Sequence, residues 1–170
     1  MKISKILIAI DDSKYAEYAA SYGFDLAKSF NAHVGLVHIV EPTVMPVSTV
    51  DSMTGLPFAG TGLEEMEVIN IQNELSDNIV DRTIKKYAGE LQVTHFNEFG
   101  ATADGIISCS KEFGADLIVM GTHSRTGIDR LLMGNVAETV IRTSHIPVLV
   151  VPLAEENRDW HPNFDSREPK

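Results

Sequence analysis

The chain has 170 residues, 44% hydrophobic and 22% charged, with 24 acidic against 14 basic side chains and a formal net charge of −10 at pH 7. That length suits one domain burying roughly 70% of the surface its unfolded form exposes, and the composition excludes disordered and fibrous chains. The negative field repels a nucleic-acid duplex or an anionic bilayer, no basic patch offsets it, and no apolar run is long enough to span a membrane.

The N-terminal MKISKILIAIDDS has lysines and an apolar run too short for a secretion signal, and it predicts a first strand over about Ser4 to Ile10. Ser13 then caps helix one, whose Ala16, Ala19, Ala20, Gly23 and Ala27 recur at helical spacing and are small enough to lie close to a sheet. A second strand runs from His33 to Val40. From Glu41 to Gly62 the chain passes through Pro42, Pro46, Gly55, Pro57, Gly60 and Gly62, too broken for an ordinary strand-to-helix connection. Two readings stand for this insert, a lid or a loop without a role.

Helix two covers about Leu63 to Tyr87, with Val68, Ile71, Leu75 and Ile79 along one face. The third strand, about Gln92 to Asn97, is the least apolar. Helix three begins near Thr102, packs Ala103, Ile106, Ile107 and Phe113, and stops at Gly114. The single cysteine, Cys109, belongs to this helix; it excludes an intrachain disulfide and suits a cytoplasmic location. A fourth strand spans Asp116 to Gly121. Helix four opens on Asn135-Val136-Ala137-Glu138, a capping-box spacing with Asn for Ser or Thr, and a fifth strand spans Pro147 to Val151. Strands alternating with helices, most of them apolar throughout, predict a parallel sheet covered on both faces. The domain is expected over 1–152, with 41–62 as a long inserted loop and 153–170 as a charged tail that Trp160 and Phe164 could anchor.

Asp116 to Pro152 carries the chemistry: an apolar strand, Gly121, a polar loop, Gly134 opening a helix, then another strand. The first amides of a helix lack intrahelical partners, and with the positive end of the dipole they favour an anion. Alternatively, the glycines serve only a tight turn and close packing. Asp11, and equally Asp12, precedes a helix, where an acidic residue can serve a ligand or simply the helix dipole. Arg125 and Arg130 are the basic residues of the loop, and exposed loop arginines are more often solvated than ligand-bound. His123 has no positioned partner visible in sequence, and the six histidines show no metal-ligand spacing.

With Asp11 after strand one, the insert after strand two, and Gly121-x-x-Ser124-x9-Gly134-Asn135 before strand five, the sequence from about Lys2 to Pro152 resembles the universal stress protein family. Nucleotide-binding members carry G-x-x-G-x9-G-[ST] here, on a doubly wound α/β fold whose five-stranded parallel sheet has the order 3-2-1-4-5. Ser124 replaces the second glycine and Asn135 the Ser or Thr. The resemblance implies a site for ATP, with or without Mg²⁺. Asp11 lies near the ribose, Ile39 lines the adenine pocket with its backbone, and Ala9 and Ile10 form the wall. Met120, Gly121, Thr122 and Ser124 bound the phosphates, with Arg125 beside them, and Gly134, Asn135 and Val136 present amides from the other side. Ser124 keeps an inward amide and adds a hydroxyl, whereas Asn135 lacks the hydroxyl that could reach a terminal phosphate or its metal.

Three functional classes follow. The first is an ATP-binding regulatory protein of the stress response, in which nucleotide orders the loop and a protein partner reads the change. The second is a dimeric interaction module that has lost the ligand. The third is an enzyme, at most a slow ATPase, since the loop offers no lysine and the chain has neither G-x-x-x-x-G-K-[ST] nor a strand-borne G-x-G-x-x-G. The resemblance also implies homodimerisation through Val148, Leu149, Val150 and Val151 at a sheet edge, unless the tail covers that edge.

Overall fold

In the computed structural model, which describes residues 2–41, 62–122 and 135–153, strand β1 (Lys5–Ala9) lies at the centre of a parallel sheet. Its neighbours are β2 (His33–Val40) and β4 (Leu117–Gly121), and β3 (Val93–Phe99) and β5 (Val148–Val151) form the edges. All five strands are parallel, in the order β3-β2-β1-β4-β5. The connections are α1 (Lys14–Phe30), α2 (Gly62–Tyr87), α3 (Thr102–Phe113) and α4 (Asn135–Thr143).

Side chains alternate across a strand, so each apolar run supplies two cores. Ile6, Ile8, Val34, Leu36, Leu117 and Val119 pack with Ala19, Ala20, Phe24 and Ala27 of α1 and Ile79 and Val80 of α2. On the opposite face Leu7, Ala9, Val37, Ile118 and Met120 pack with Ile106, Cys109 and Phe113 of α3 and Ala137 and Val140 of α4. Burial pushes the Cys109 thiol up to about 11, helped by the carboxylates of Glu98 and Glu112.

Helix α1 is bounded by its sequence signals. Ser13 Oγ accepts the Ala16 N–H at 3.2 Å, and Asn31 closes the helix in the left-handed region at φ 49°. Its small residues are buried as their spacing predicts, and a Cβ on Gly23 would lie 2.6 Å from Ile8 Cδ1. Gly114 ends α3 at φ 68°, the conformation for which glycine is favoured. The third strand extends past its expected end to Phe99, because β2 supplies a partner at every position from Val34↔Val93 to Val40↔Phe99. That ladder compensates for weak side-chain patterning.

Two expectations fail. The buried face of α2 is Ser76, Ile79, Val80 and Thr83, whereas Ile71 and Leu75 are 51% and 58% exposed; the side chain of Val68 lies outside what is described. Polar residues can occupy that face because each is satisfied: Thr83 Oγ1 donates to the Ile79 carbonyl at 2.8 Å, and Ser76 joins the network described below. In α4, Asn135 is the first helical residue rather than the cap, and Glu138 pairs instead with Arg142 at 2.9 Å. Of the insert, residues 42–61 lie outside the described residues, as do 154–170 of the tail with Trp160 and Phe164. No helix among the described residues is long and apolar enough to cross a membrane.

Gly121 has a packing requirement of its own. A Cβ there would lie 2.8 Å from the Tyr15 carbonyl oxygen and 3.2 Å from the Ala16 nitrogen, both backbone atoms of α1. Gly121→Ala must therefore force helix from strand, and a loss of about 1–3 kcal/mol is expected in urea denaturation. An unchanged midpoint would show that α1 yields without cost.

Candidate functional site

The connections run one way from β1 to β2 and the other way to β4, so a crevice opens beyond the carboxyl ends of these strands. It is a cleft of about 570 Å³. Ala9 of β1 and Ile10 just after it, Val37 and Ile39 of β2, Ile106 of α3, and Met120 of β4 give it apolar walls; Val136 and Ala137 close it from the first turn of α4. Polar groups enter chiefly where the strands end, through Asp11, Glu41, Gly121 and Thr122, with Thr102 at the start of α3, Gln72 on α2 and His38 within β2.

Asp11 is positioned by its own turn. Ile10 extends the ladder by donating its N–H to the Val37 carbonyl at 2.9 Å, and Asp11 Oδ1 then accepts the Ser13 N–H at 2.8 Å. Among the described residues Oδ2 remains available to the cleft. Asp12 turns away and pairs with Arg82 of α2 at 2.9 Å on the surface, so Asp11 is the member of the pair that lines the cleft.

Of the residues expected at the site, Ala9, Ile10, Asp11, Ile39, Met120, Gly121, Thr122 and Val136 do line this one cleft. Asn135 opens α4, with its backbone alone described. Ser124, Arg125 and Gly134, with His123 and Arg130, lie outside the described residues. The lining carries two carboxylates and no lysine or arginine among the described residues. Its positive feature is the amino end of α4, where the first backbone N–H groups have no intrahelical partners.

Sequence reasoning missed His38, Glu41, Gln72 and Thr102. Glu41 carried a usable signal, being, like Asp11, an acidic residue just beyond an apolar strand at its carboxyl end. His38 is buried at 6% exposure and belongs to a chain of hydrogen bonds joining β2, α2 and β3. Asn97 Nδ2 donates to Asp77 Oδ1 at 2.6 Å, which turns the Asn97 carbonyl toward Ser76 Oγ, 3.0 Å away. The single Ser76 hydroxyl proton is spent on Asn97, so His38 Nδ1 must donate to Ser76 Oγ across 2.6 Å. The wall of the cleft formed by His38 is thereby tied to α2.

A cleft outside the reversal point of an open parallel sheet, with a carboxylate on one strand end and a helix amino end opposite, lies where open α/β sheets bind their ligands. The universal stress protein family pattern matches residues 2–152, and the chain belongs to that family. It is 36% identical over 149 residues to Universal stress protein MJ0531 of Methanocaldococcus jannaschii, covering 86% of this chain and 81% of the relative. A universal stress protein solved in complex with cAMP shares the fold with a TM-score of 0.56 at 18% identity, covering 91% of this chain and 100% of that one. A universal stress protein of Archaeoglobus fulgidus solved in complex with dAMP has a TM-score of 0.52 at 18% identity, covering 88% and 98%.

Removing the hydroxyl in Ser76→Ala leaves a buried imidazole N–H and an amide carbonyl without that partner. A loss of about 1–3 kcal/mol is expected from chemical denaturation. An unaltered stability would mean that the network is not closed in solution.

Proposed function

We propose that this chain is an adenine-nucleotide-binding regulatory protein that takes ATP, with or without Mg²⁺, in the cleft beyond β1 and β4. One observation carries the reading: Asp11 and the amino end of α4 line a single cleft whose remaining walls are largely apolar. Apolar walls suit a base, a carboxylate accepts from vicinal ribose hydroxyls, and a helix amino end suits phosphate. Binding of cAMP and dAMP by two universal stress proteins of this fold supports the adenine class. The contributions of Ser124, Arg125 and Gly134 at the phosphate end rest on the resemblance. Regulation rather than turnover is the proposed purpose, since the sequence of the loop from Gly121 to Asn135 offers no lysine to stabilise phosphoryl transfer. The protein acts in the cytoplasm, residues 1–152 form its working domain, residues 153–170 form a tail, and a protein partner reads the bound state.

A specific observation favours the rival reading, an interaction module of the same fold without nucleotide. Close approach to α1 is sufficient reason for Gly121, so that glycine need not answer to phosphate. Denaturing the purified protein and analysing the supernatant for copurified nucleotide, together with calorimetric titration of ATP, separates the two. Binding by the native chain and an affinity about tenfold weaker in Asp11→Ala are expected for a lost charged hydrogen bond. No copurified nucleotide and no heat would leave the interaction module standing.

Homodimerisation through Val148, Leu149, Val150 and Val151 is part of the proposal. β5 is an edge strand, its first three residues are only part-buried, and Ile141 of α4 is 41% exposed. The full chain and a version ending at Pro152 are both expected to sediment as dimers. Monomers in both cases would remove this interface.

A further inference from the structure

We propose that Glu41 selects the base of the bound nucleotide, accepting a hydrogen bond from an exocyclic amino group and repelling a carbonyl at the same place; this rests on the nucleotide reading of the cleft. Strand order sets the order of the ligand's parts. β2 contributes Ile39 and leads to Glu41, β1 leads to Asp11, and β4 ends in Gly121 on the side where α4 presents Val136 and Ala137. Because β1 lies between β2 and β4, Asp11 occupies the middle of the cleft. Phosphate is drawn to the amino end of α4 and repelled by a carboxylate, so Glu41 directs the phosphates away from the β2 end. The base is left to Ile39 and Glu41.

The local geometry equips Glu41 for this. Alternation along β2 puts Ile39 and Glu41 on the α3 side, where Ile39 packs so tightly against α3 that a Cβ on Gly105 would lie 2.5 Å from its Cδ1. Glu41 follows the last strand residue and lies exposed at the rim, reachable by a ligand. The Thr102 hydroxyl donates to Glu41 Oε1 at 2.5 Å. The cap position of α3 is Ala101, which offers no side-chain acceptor of its own.

An ionised carboxylate only accepts hydrogen bonds. Thr102 fixes the carboxylate through Oε1, and among the described residues no donor reaches Oε2, which can accept from an amino group on a base edge. A base carbonyl at the same place would set oxygen against oxygen. The arrangement therefore favours an amino-substituted purine over its oxo counterparts.

Calorimetric titration with ATP and with inosine triphosphate, which carries a carbonyl in place of the adenine amino group, tests this in the full-length protein. The native chain is expected to bind ATP about tenfold more tightly, the scale of one net hydrogen bond at an exposed site. Glu41→Ala should level the two affinities. Glu41→Gln should shift the preference toward the inosine nucleotide, because the amide can keep its oxygen on Thr102 and turn an N–H to the base. Equal affinities in the native chain, or a ratio unchanged in both variants, would overturn the assignment of Glu41 while leaving nucleotide binding intact. Absence of heat with either nucleotide would overturn the nucleotide reading and this inference together.

Discussion

The burial of β1 on both faces and its pairing on both edges governs the rest of the molecule. Ile6, Leu7 and Ile8 are wholly inaccessible, with β2 and β4 hydrogen-bonded on either side and helices above and below. A polar side chain in that stretch would lose its hydration without finding partners. Chemistry can enter only where the strand runs out, and there the chain places Ile10, Asp11 and the cap of α1 in immediate succession. β4 follows the same rule, ending at Gly121, and β2 leads to Glu41, its one buried polar side chain, His38, being satisfied by Ser76. The cleft is thus a consequence of topology, and its occupants are the residues that the core could not accept.

Much of this was legible in the sequence because it depends on local patterns. Four of the strands are marked by their apolar runs, α1 by Ser13 and a repeating set of small residues, and the end of α3 by Gly114, while the weakly patterned β3 is legible only up to Asn97. What escaped depends on contacts between distant segments. The α2 stripe was misplaced because Ser76 and Thr83 look like surface residues until their partners, His38, Asn97 and the Ile79 carbonyl, come into view. Gly121 pointed to phosphate, whereas the structure adds the backbone of α1 against which it lies. Asn135 suggested a cap but begins the helix itself. In sequence Glu41 reads only as the start of an insert, since its relation to Thr102 spans 61 positions along the chain.

The two cleft carboxylates and the α4 terminus form an asymmetric electrostatic frame. Asp11 and Glu41 are each held by a donor close at hand, the Ser13 amide and the Thr102 hydroxyl. Neither oxygen must be reorganised before a donor arrives, which reduces the ordering cost that any ligand would meet. The network from His38 to Asp77 adds rigidity from behind, joining three elements through side chains alone. Between helices, Glu17 and Lys86 contribute a partly buried pair at 2.6 Å that fastens α1 to α2. The frame therefore rests on contacts outside the cleft as well as within it.

Cys109 carries a last consequence. It is the chain's sole cysteine, it is 1% exposed among Ile106, Phe113 and their neighbours, and its proton is held to about pH 11. Peroxides and disulfide reagents attack thiolates, and this sulfur is neither ionised at neutral pH nor within their reach. Folding thus keeps that sulfur protonated at neutral pH and out of contact with reagents dissolved around the molecule.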